Sequence, residues 1–173
     1  MRRSLILFLS ILLLAVTAWP AGGLSNRRAP GFSLPDLSLQ QHDLYKYRGK
    51  MVILNVMKTD CPHCLSFSKN LARIEDKYKS RVKVIDLVIP PDNQNSVQKY
   101  LVENGLSQLV LFDCGQVAAA YLKITPQNPK FDTPHFFVID QEGWIQDDYG
   151  YNALNNSIFE GEGLDKIIDK FLK

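Results

Sequence analysis

Residues 52–78, VILNVMKTDCPHCLSFSKNLARIEDKY, constrain this chain more than any other stretch. Val52-Ile53-Leu54, continued through Asn55 by Val56-Met57, is an apolar run of the kind that forms a strand buried on both faces in the middle of a sheet. A short polar link, Lys58-Thr59-Asp60, leads to Cys61-Pro62-His63-Cys64. Cys64, Phe67, Leu71, Ile74 and Tyr78 then recur at helical spacing and form one stripe, with Lys69, Arg73 and Lys77 turned away from it. The two cysteines therefore stand where a strand ends and a helix begins.

That position has chemical consequences. The first turn of a helix carries unpaired backbone N–H groups and the positive end of the helix dipole, and both favour an anion. Cys61, just ahead of Pro62, is placed to exist as a thiolate at neutral pH. Pro62 suits the first helical position, where its missing N–H would have had no partner. Cys64 lies one turn deeper, more buried and within reach of a disulfide with Cys61. His63 is placed to donate a hydrogen bond to the sulfur or to add positive charge. Asp60 acts in the opposite direction, since a neighbouring carboxylate disfavours the thiolate, but it is free to point to solvent.

A CxxC pair between a buried strand and an amphipathic helix resembles the thioredoxin fold, and CPHC resembles the active-site tetrapeptide of DsbA-type thiol oxidants. The wider chain is similar to the TlpA-like, or redoxin, branch: Ala29-Pro30-Gly31-Phe32-Ser33-Leu34-Pro35-Asp36 resembles its lead-in. Thr133-Pro134 with Phe136-Phe137-Val138-Ile139-Asp140 resembles its cis-proline strand. The resemblance implies an α/β fold with a central mixed sheet flanked by helices. It implies that Pro134 is cis and packs against the disulfide, and that Thr133 presents backbone groups to an incoming peptide or thiol. It also implies thiol–disulfide exchange, with Cys61 as nucleophile, Cys64 as resolving thiol and no cofactor beyond their disulfide. The partners would be protein thiols or disulfides and an electron-transfer redox protein. Asn55 stands where many thioredoxins have a buried acid, so proton transfer at Cys64 needs another group. Phe67 stands where many cytochrome-maturation reductants have a glutamate, and Asp60 replaces a frequent tryptophan. These departures weaken the reductant reading, and CPHC leans toward oxidation.

The same residues admit two other readings. A copper-binding module would use Cys61 and Cys64 with His63 or His135, since thiolate and imidazole suit soft metals, although CxxC is not the usual spacing of copper chaperones of this fold. A thiol peroxidase would need a proline and a threonine where Leu54 and Lys58 stand. Neither matches as well as the dithiol exchange reading, and no metal site is expected.

At 173 residues and 46% hydrophobic composition the chain is long enough for one domain with a substantial core. Met1 to Ala18 reads as an export signal, with Arg2 and Arg3 ahead of an apolar run from Leu5 to Val16 interrupted by Ser10. Processing near Val16-Thr17-Ala18 or Ala21-Gly22-Gly23 gives residues 1–23 as a signal peptide; the alternative is an uncleaved N-terminal anchor, the only expected link to a membrane. The domain would then work outside the cytoplasm, in a bacterial periplasm, where disulfides persist. The formal charge of +2 is carried by Arg2 and Arg3, leaving the remainder neutral, and nothing in it resembles the clustered basic face that nucleic-acid binding needs.

Residues 24–28 read as a linker and 29–173 as the domain. Phe32 to Gly49 suggests an N-terminal hairpin leading into the central strand, with His42 exposed in its polar loop. Val82 to Ile89 suggests a second buried strand ending at Pro90-Pro91. A short helix capped by Asn95 or Ser96 should end at Asn104-Gly105. Leu109 to Phe112 reads as a third inner strand, followed by a helix carrying Val117, Ala120 and Tyr121, then a loop from Ile124 to Asp132. Phe136–Ile139 and Trp144–Tyr149 flank the turn Gln141-Glu142-Gly143, and Leu164 to Leu172 marks a closing amphipathic helix. His135 reads as a partly exposed strand-start residue, or as part of the substrate rim or a metal ligand. Cys114, the odd cysteine, should lie at the same sheet rim as Cys61, as a buried small side chain or a third redox cysteine.

Overall fold

The computed structural model describes residues 23–172. The export-signal reading falls almost wholly outside them. In chain order the elements are β1 (Arg27–Arg28), β2 (Ser33–Pro35), β3 (Gln41–Asp43), β4 (Met51–Met57), α1 (Pro62–Tyr78), β5 (Val82–Val88), α2 (Gln94–Asn104) and β6 (Leu109–Phe112). They continue with α3 (Gln116–Leu122), β7 (His135–Ile139), β8 (Trp144–Gly150), α4 (Asn156–Phe159) and α5 (Leu164–Phe171). A 3₁₀ turn, Leu44–Tyr47, joins β3 to β4.

Six strands form one mixed sheet in the order β1-β8-β7-β4-β5-β6, while β2 and β3 make the expected separate hairpin. The pairs β4·β5 and β5·β6 are parallel, joined by helical crossovers, whereas β7 runs antiparallel to β4 and β8 antiparallel to β7. All seven residues of β4 are buried, which is why its sequence shows an apolar run, interrupted only by Asn55, rather than alternation.

Alternation survives in what each face touches. Val52, Leu54 and Val56 face a cluster with Ile85, Leu87, Phe137 and the α3 residues Ala118 and Tyr121. Met51 and Ile53 face the other layer, against Phe67, Leu71 and Ile74 of α1, Phe159 of α4 and Ile167 of α5. Met57 belongs to a third cluster with Cys64, Val88, Val97, Tyr100 and Val110, where α1 and α2 meet the sheet. Each fully buried side chain of this size contributes about 1.5–3 kcal/mol, so the central strand and the α1 stripe hold the site's two supports together.

Several expectations need correcting. Residues 24–28 are bound to the domain rather than a free linker: β1 pairs with Trp144 and Ile145, and the Leu24 N–H donates to Asp148 Oδ1 at 2.9 Å. His42 is not in an exposed loop. It lies half-buried on β3 with its ring nitrogens 2.8 Å from Tyr47 Oη and 2.9 Å from Asp36 Oδ2. The α2 cap is Asn93, two residues earlier than the first candidate, and Ser96 returns the bond in a capping box. Gly105 ends that helix in the left-handed region, as expected. The short helix α4 was missed altogether.

Candidate active site

Cys61 is the N-cap of α1, with extended backbone angles of φ −100° and ψ 114°, and Pro62 occupies the first turn. The Cys64 N–H donates to Cys61 Sγ at 3.1 Å. This is the anion-favouring contact that a helix start provides, made by the chain to its own sulfur. Cys61 and Cys64 form a disulfide with their Cα atoms 5.2 Å apart. Cys61 is half-buried at the rim, whereas Cys64 is fully buried, so Cys61 is the more accessible of the two sulfurs.

The opposite wall comes from the segment leading into β7. The Thr133–Pro134 bond is cis, and Thr133 O lies 3.7 Å from Cys61 Sγ. Pro134 is buried, and its carbonyl accepts from the Tyr151 N–H at 3.0 Å. The loop ahead of α1 is held from a third side. Asp92 accepts from the Thr59 N–H at 3.0 Å, from the Thr59 hydroxyl and from the Ser96 hydroxyl at 2.7 Å, fastening the β4–α1 loop to the start of α2. Asp60 is exposed.

The three residues with open roles take distinct places. His63 is exposed, and its ring lies flat against Tyr151 with centroids 4.2 Å apart; the polar contact to the Cys61 sulfur from within α1 is the Cys64 N–H. His135 is half-buried, 3.1 Å from Asp148 Oδ2 through Nε2 and stacked on Phe137. Among the described residues no group of three or more His, Cys, Asp or Glu side chains is arranged to hold a metal ion. Cys114 is a free, exposed cysteine, which corrects the expectation of a buried one. It follows β6, two strands away from β4, and Asp113 beside it accepts from the N–H groups of Val117 and Ala118.

The residue that sequence reasoning passed over is Asp86. It sits directly opposite Asn55 in the β4·β5 register, is completely buried, and faces the underside of α1. Asn55 Nδ2 donates to its Oδ1 at 2.7 Å, and the Ser68 hydroxyl lies 3.4 Å from its Oδ2. Burial pushes its carboxyl up to about 6; the Asn55 and Ser68 hydrogen bonds oppose that shift without cancelling it. The available signal was one carboxylate inside the apolar run Val82–Val88.

Comparison with known proteins places the chain. The family model described as the AhpC/TSA family matches residues 26–148. The chain belongs to the AhpC/TSA family. It is 24% identical over 150 residues to the thioredoxin-like protein YneN of Bacillus subtilis, covering 80% of this chain and 84% of that protein. It is 32% identical over 119 residues to the thiol-disulfide oxidoreductase ResA of Geobacillus kaustophilus, covering 68% of this chain and 64% of ResA. A crystal structure of a thioredoxin-family thiol:disulfide interchange protein from Chlorobium tepidum superposes with a TM-score of 0.68 at 19% identity, over 85% of this chain and 97% of that one. The fold is thioredoxin-like, as the CxxC pair and Thr133-Pro134 implied. With its CxxC disulfide, this family member is an oxidoreductase.

Proposed function

We propose that the protein exchanges disulfides with protein thiols outside the cytoplasm, using Cys61 as the attacking or attacked sulfur and Cys64 to resolve the mixed disulfide. The observation that carries this reading is the asymmetry of the pair: Cys61 at the rim on a helix N-terminus, Cys64 buried beneath it. In the oxidising direction, a substrate thiolate attacks Cys61 Sγ and Cys64 leaves as the thiol after taking up a proton. A second substrate thiolate then attacks its own sulfur in the mixed disulfide and releases Cys61 as a thiolate, which the helix N-terminus stabilises. Thr133, whose carbonyl lies 3.7 Å from Cys61 Sγ, is the backbone position against which an extended substrate segment would pair, and buried Pro134 keeps a backbone N–H away from the sulfurs.

Export rests on Arg2, Arg3 and the apolar run from Leu5 to Val16, and the name of the relative ResA agrees with the dithiol chemistry. The stack of His63 on Tyr151 and the bond of His135 to Asp148 leave both histidines engaged away from the sulfurs, which favours exchange chemistry over copper binding. The test is to mix the oxidised protein with a reduced, unfolded disulfide protein. Substrate thiols should be lost in step with reduction of the Cys61–Cys64 pair, and the reduced Cys64→Ser variant, given the same substrate in its disulfide form, should be trapped on it through Cys61. Absence of exchange, or trapping through Cys114, would sink the reading.

A further inference from the structure

Four carboxylates are buried among the described residues: Asp86, Asp113, Asp147 and Asp148. Three have evident structural duties. Asp113 caps α3, Asp147 accepts from the Tyr149 hydroxyl and the Asp148 N–H, and Asp148 joins Leu24 to His135. Asp86 has no such duty. Its partners are an amide and a hydroxyl, Asn55 and Ser68, and no cation is bonded to it. A carboxylate buried this way costs stability, so its presence asks for a use.

Its place supplies one. Asp86 lies two residues before Val88 on the face of β5 that looks toward α1, and Val88 shares a cluster with Cys64 and Met57. Ser68 lies one helical turn after Cys64 on the same buried face of α1. Its hydroxyl touches both Asp86 Oδ2, at 3.4 Å, and Met57 Sδ, at 3.7 Å. The groups around this point were left incompletely satisfied: Asn55 Oδ1, Tyr100 Oη and Gln108 Oε1 are buried with no hydrogen-bond partner among the described residues. Such a pocket of spare donors and acceptors suits a group that changes protonation state.

The geometry points to Asp86 as the proton acceptor for the buried thiol of Cys64, from the face of β5 that lies under the Cys64 turn of α1. This deepens the dithiol reading and rests on it. When Cys64 resolves a mixed disulfide, its thiol proton passes to Asp86. The resulting thiolate attacks Cys61 Sγ, the Cys61–Cys64 bond forms, and the Cys61–substrate bond breaks with its electron pair on the substrate sulfur. The dithiol is oxidised, the substrate disulfide is reduced by the same two electrons, and Asp86 holds the proton. In the reverse direction Asp86 returns it to the leaving Cys64. Asp86 touches neither substrate nor sulfur, so it is a positioning residue for the proton. Asn55, an amide, cannot serve as the acceptor.

The charges facing Asp86 come from several elements. Glu75 of α1 raises its carboxyl and Lys83 of its own strand lowers it. Asn55 of β4 and Val110 of β6 are its neutral neighbours across the sheet, and Tyr100 of α2 is the remaining titratable group near it, itself pushed up to about 12 by burial. With the carboxyl raised to about 6, Asp86 is ionised and ready to accept at neutral pH, and is disabled by acidification through that value.

The test uses the reduced full chain carrying Cys114→Ser, mixed with dithiobis-nitrobenzoate. The first release of thionitrobenzoate reports attack by Cys61, and the second reports resolution by Cys64. In Asp86→Asn the second phase should slow by about a hundredfold, the low end of what a placed acid–base group contributes, and should lose its inflection near pH 6. The first phase should not change. The double variant Asn55→Asp/Asp86→Asn returns the acid to the other strand of the same pair and should restore the second phase. An unaltered second phase in Asp86→Asn overturns the proposal, as does a double variant that folds, keeps the first phase and stays slow. A parent protein with no second phase at all instead removes the dithiol reading on which the proposal stands.

Discussion

The ring of His63 lies flat on the ring of Tyr151, 4.2 Å between centroids and 22° between planes. The histidine set between the two cysteines is thereby held by the segment after β8, which also bonds to the Pro134 carbonyl through the Tyr151 N–H. In this position it makes no hydrogen bond to the Cys61 sulfur, so its influence on Cys61 acts over a longer range. Replacing His63 by Leu should make the reduction potential more negative, by no more than about 30 mV, the equivalent of tenfold in the equilibrium constant. Replacing Tyr151 by Leu frees His63 to approach the thiolate and should shift the potential the opposite way. Equilibration of both variants against glutathione measures the two shifts. Movement in the same direction for both would show that the stack does not restrain His63.

Reactivity should rank by geometry. In the reduced protein at mildly acidic pH, iodoacetamide should label Cys61 first, because it is the sulfur that accepts the Cys64 N–H at the helix start. Cys114 is exposed but lacks that contact and should follow, while Cys64, fully buried, should come last. Peptide mapping over time gives the order. Faster labelling of Cys114 than of Cys61 would remove the helix terminus as the source of activation.

Asp86 should also leave a mark on stability. Its folded carboxyl, raised to about 6, binds its proton more tightly than in the unfolded chain. The stability that protonated Asp86 allows is fully present below the unfolded value near 3.8 and is lost as pH rises through about 6. Asp86→Asn should therefore stabilise the protein at pH 7, by up to about 3 kcal/mol, and leave it nearly unchanged at pH 4. Urea unfolding at the two pH values decides this, and equal effects at both would refute the sign.

Phe67 shows why a glutamate could not simply be restored at its position. Its ring is fully buried between Phe136 and Phe159, at 5.0 and 4.8 Å. Phe67→Ala should cost about 3–5 kcal/mol, and Phe67→Glu should cost more, since its carboxylate would stand in an apolar layer. Thermal unfolding of the two variants checks the ranking; a Glu variant as stable as the Ala one would mean that the layer opens to solvent.

Fastening of the active-site loop can be tested at Asp92, which accepts from both Thr59 and Ser96. Asp92→Ala should cost about 2 kcal/mol, the scale of a lost charge-assisted hydrogen bond, and should speed hydrogen exchange in residues 58–61. An unchanged exchange rate there would assign Asp92 to α2 alone.

What the sequence revealed followed the reach of its signals. The apolar run from Val52 to Met57, interrupted only by Asn55, and the stripe from Cys64 to Tyr78 are local patterns, so β4, α1 and their junction were legible in full. Gly105 at the end of α2 was legible for the same reason. Arg27–Arg28 became a strand because Trp144 and Ile145 offered an edge to pair with, and nothing in two arginines announces that. The turn of α4, Asn156–Phe159, is too short to show a period, and only its Ile158 and Phe159 are buried. Asp86 went unnoticed because its meaning lies in Asn55, 31 positions earlier. A cross-strand pair has no local period.

That pair also bears on how such a site could change over generations. Asn55 and Asp86 share one register position and one hydrogen bond, so amide and acid can trade strands without moving the backbone. Aspartate and asparagine codons differ by a single base, which makes each half of the trade a one-step event. The two possible halfway sequences are unequal. A double aspartate confronts two buried carboxylates across a hydrogen-bond distance, whereas a double asparagine keeps the bond and gives up only the proton carrier. Passage between the two arrangements is therefore easiest through a slow enzyme that still folds.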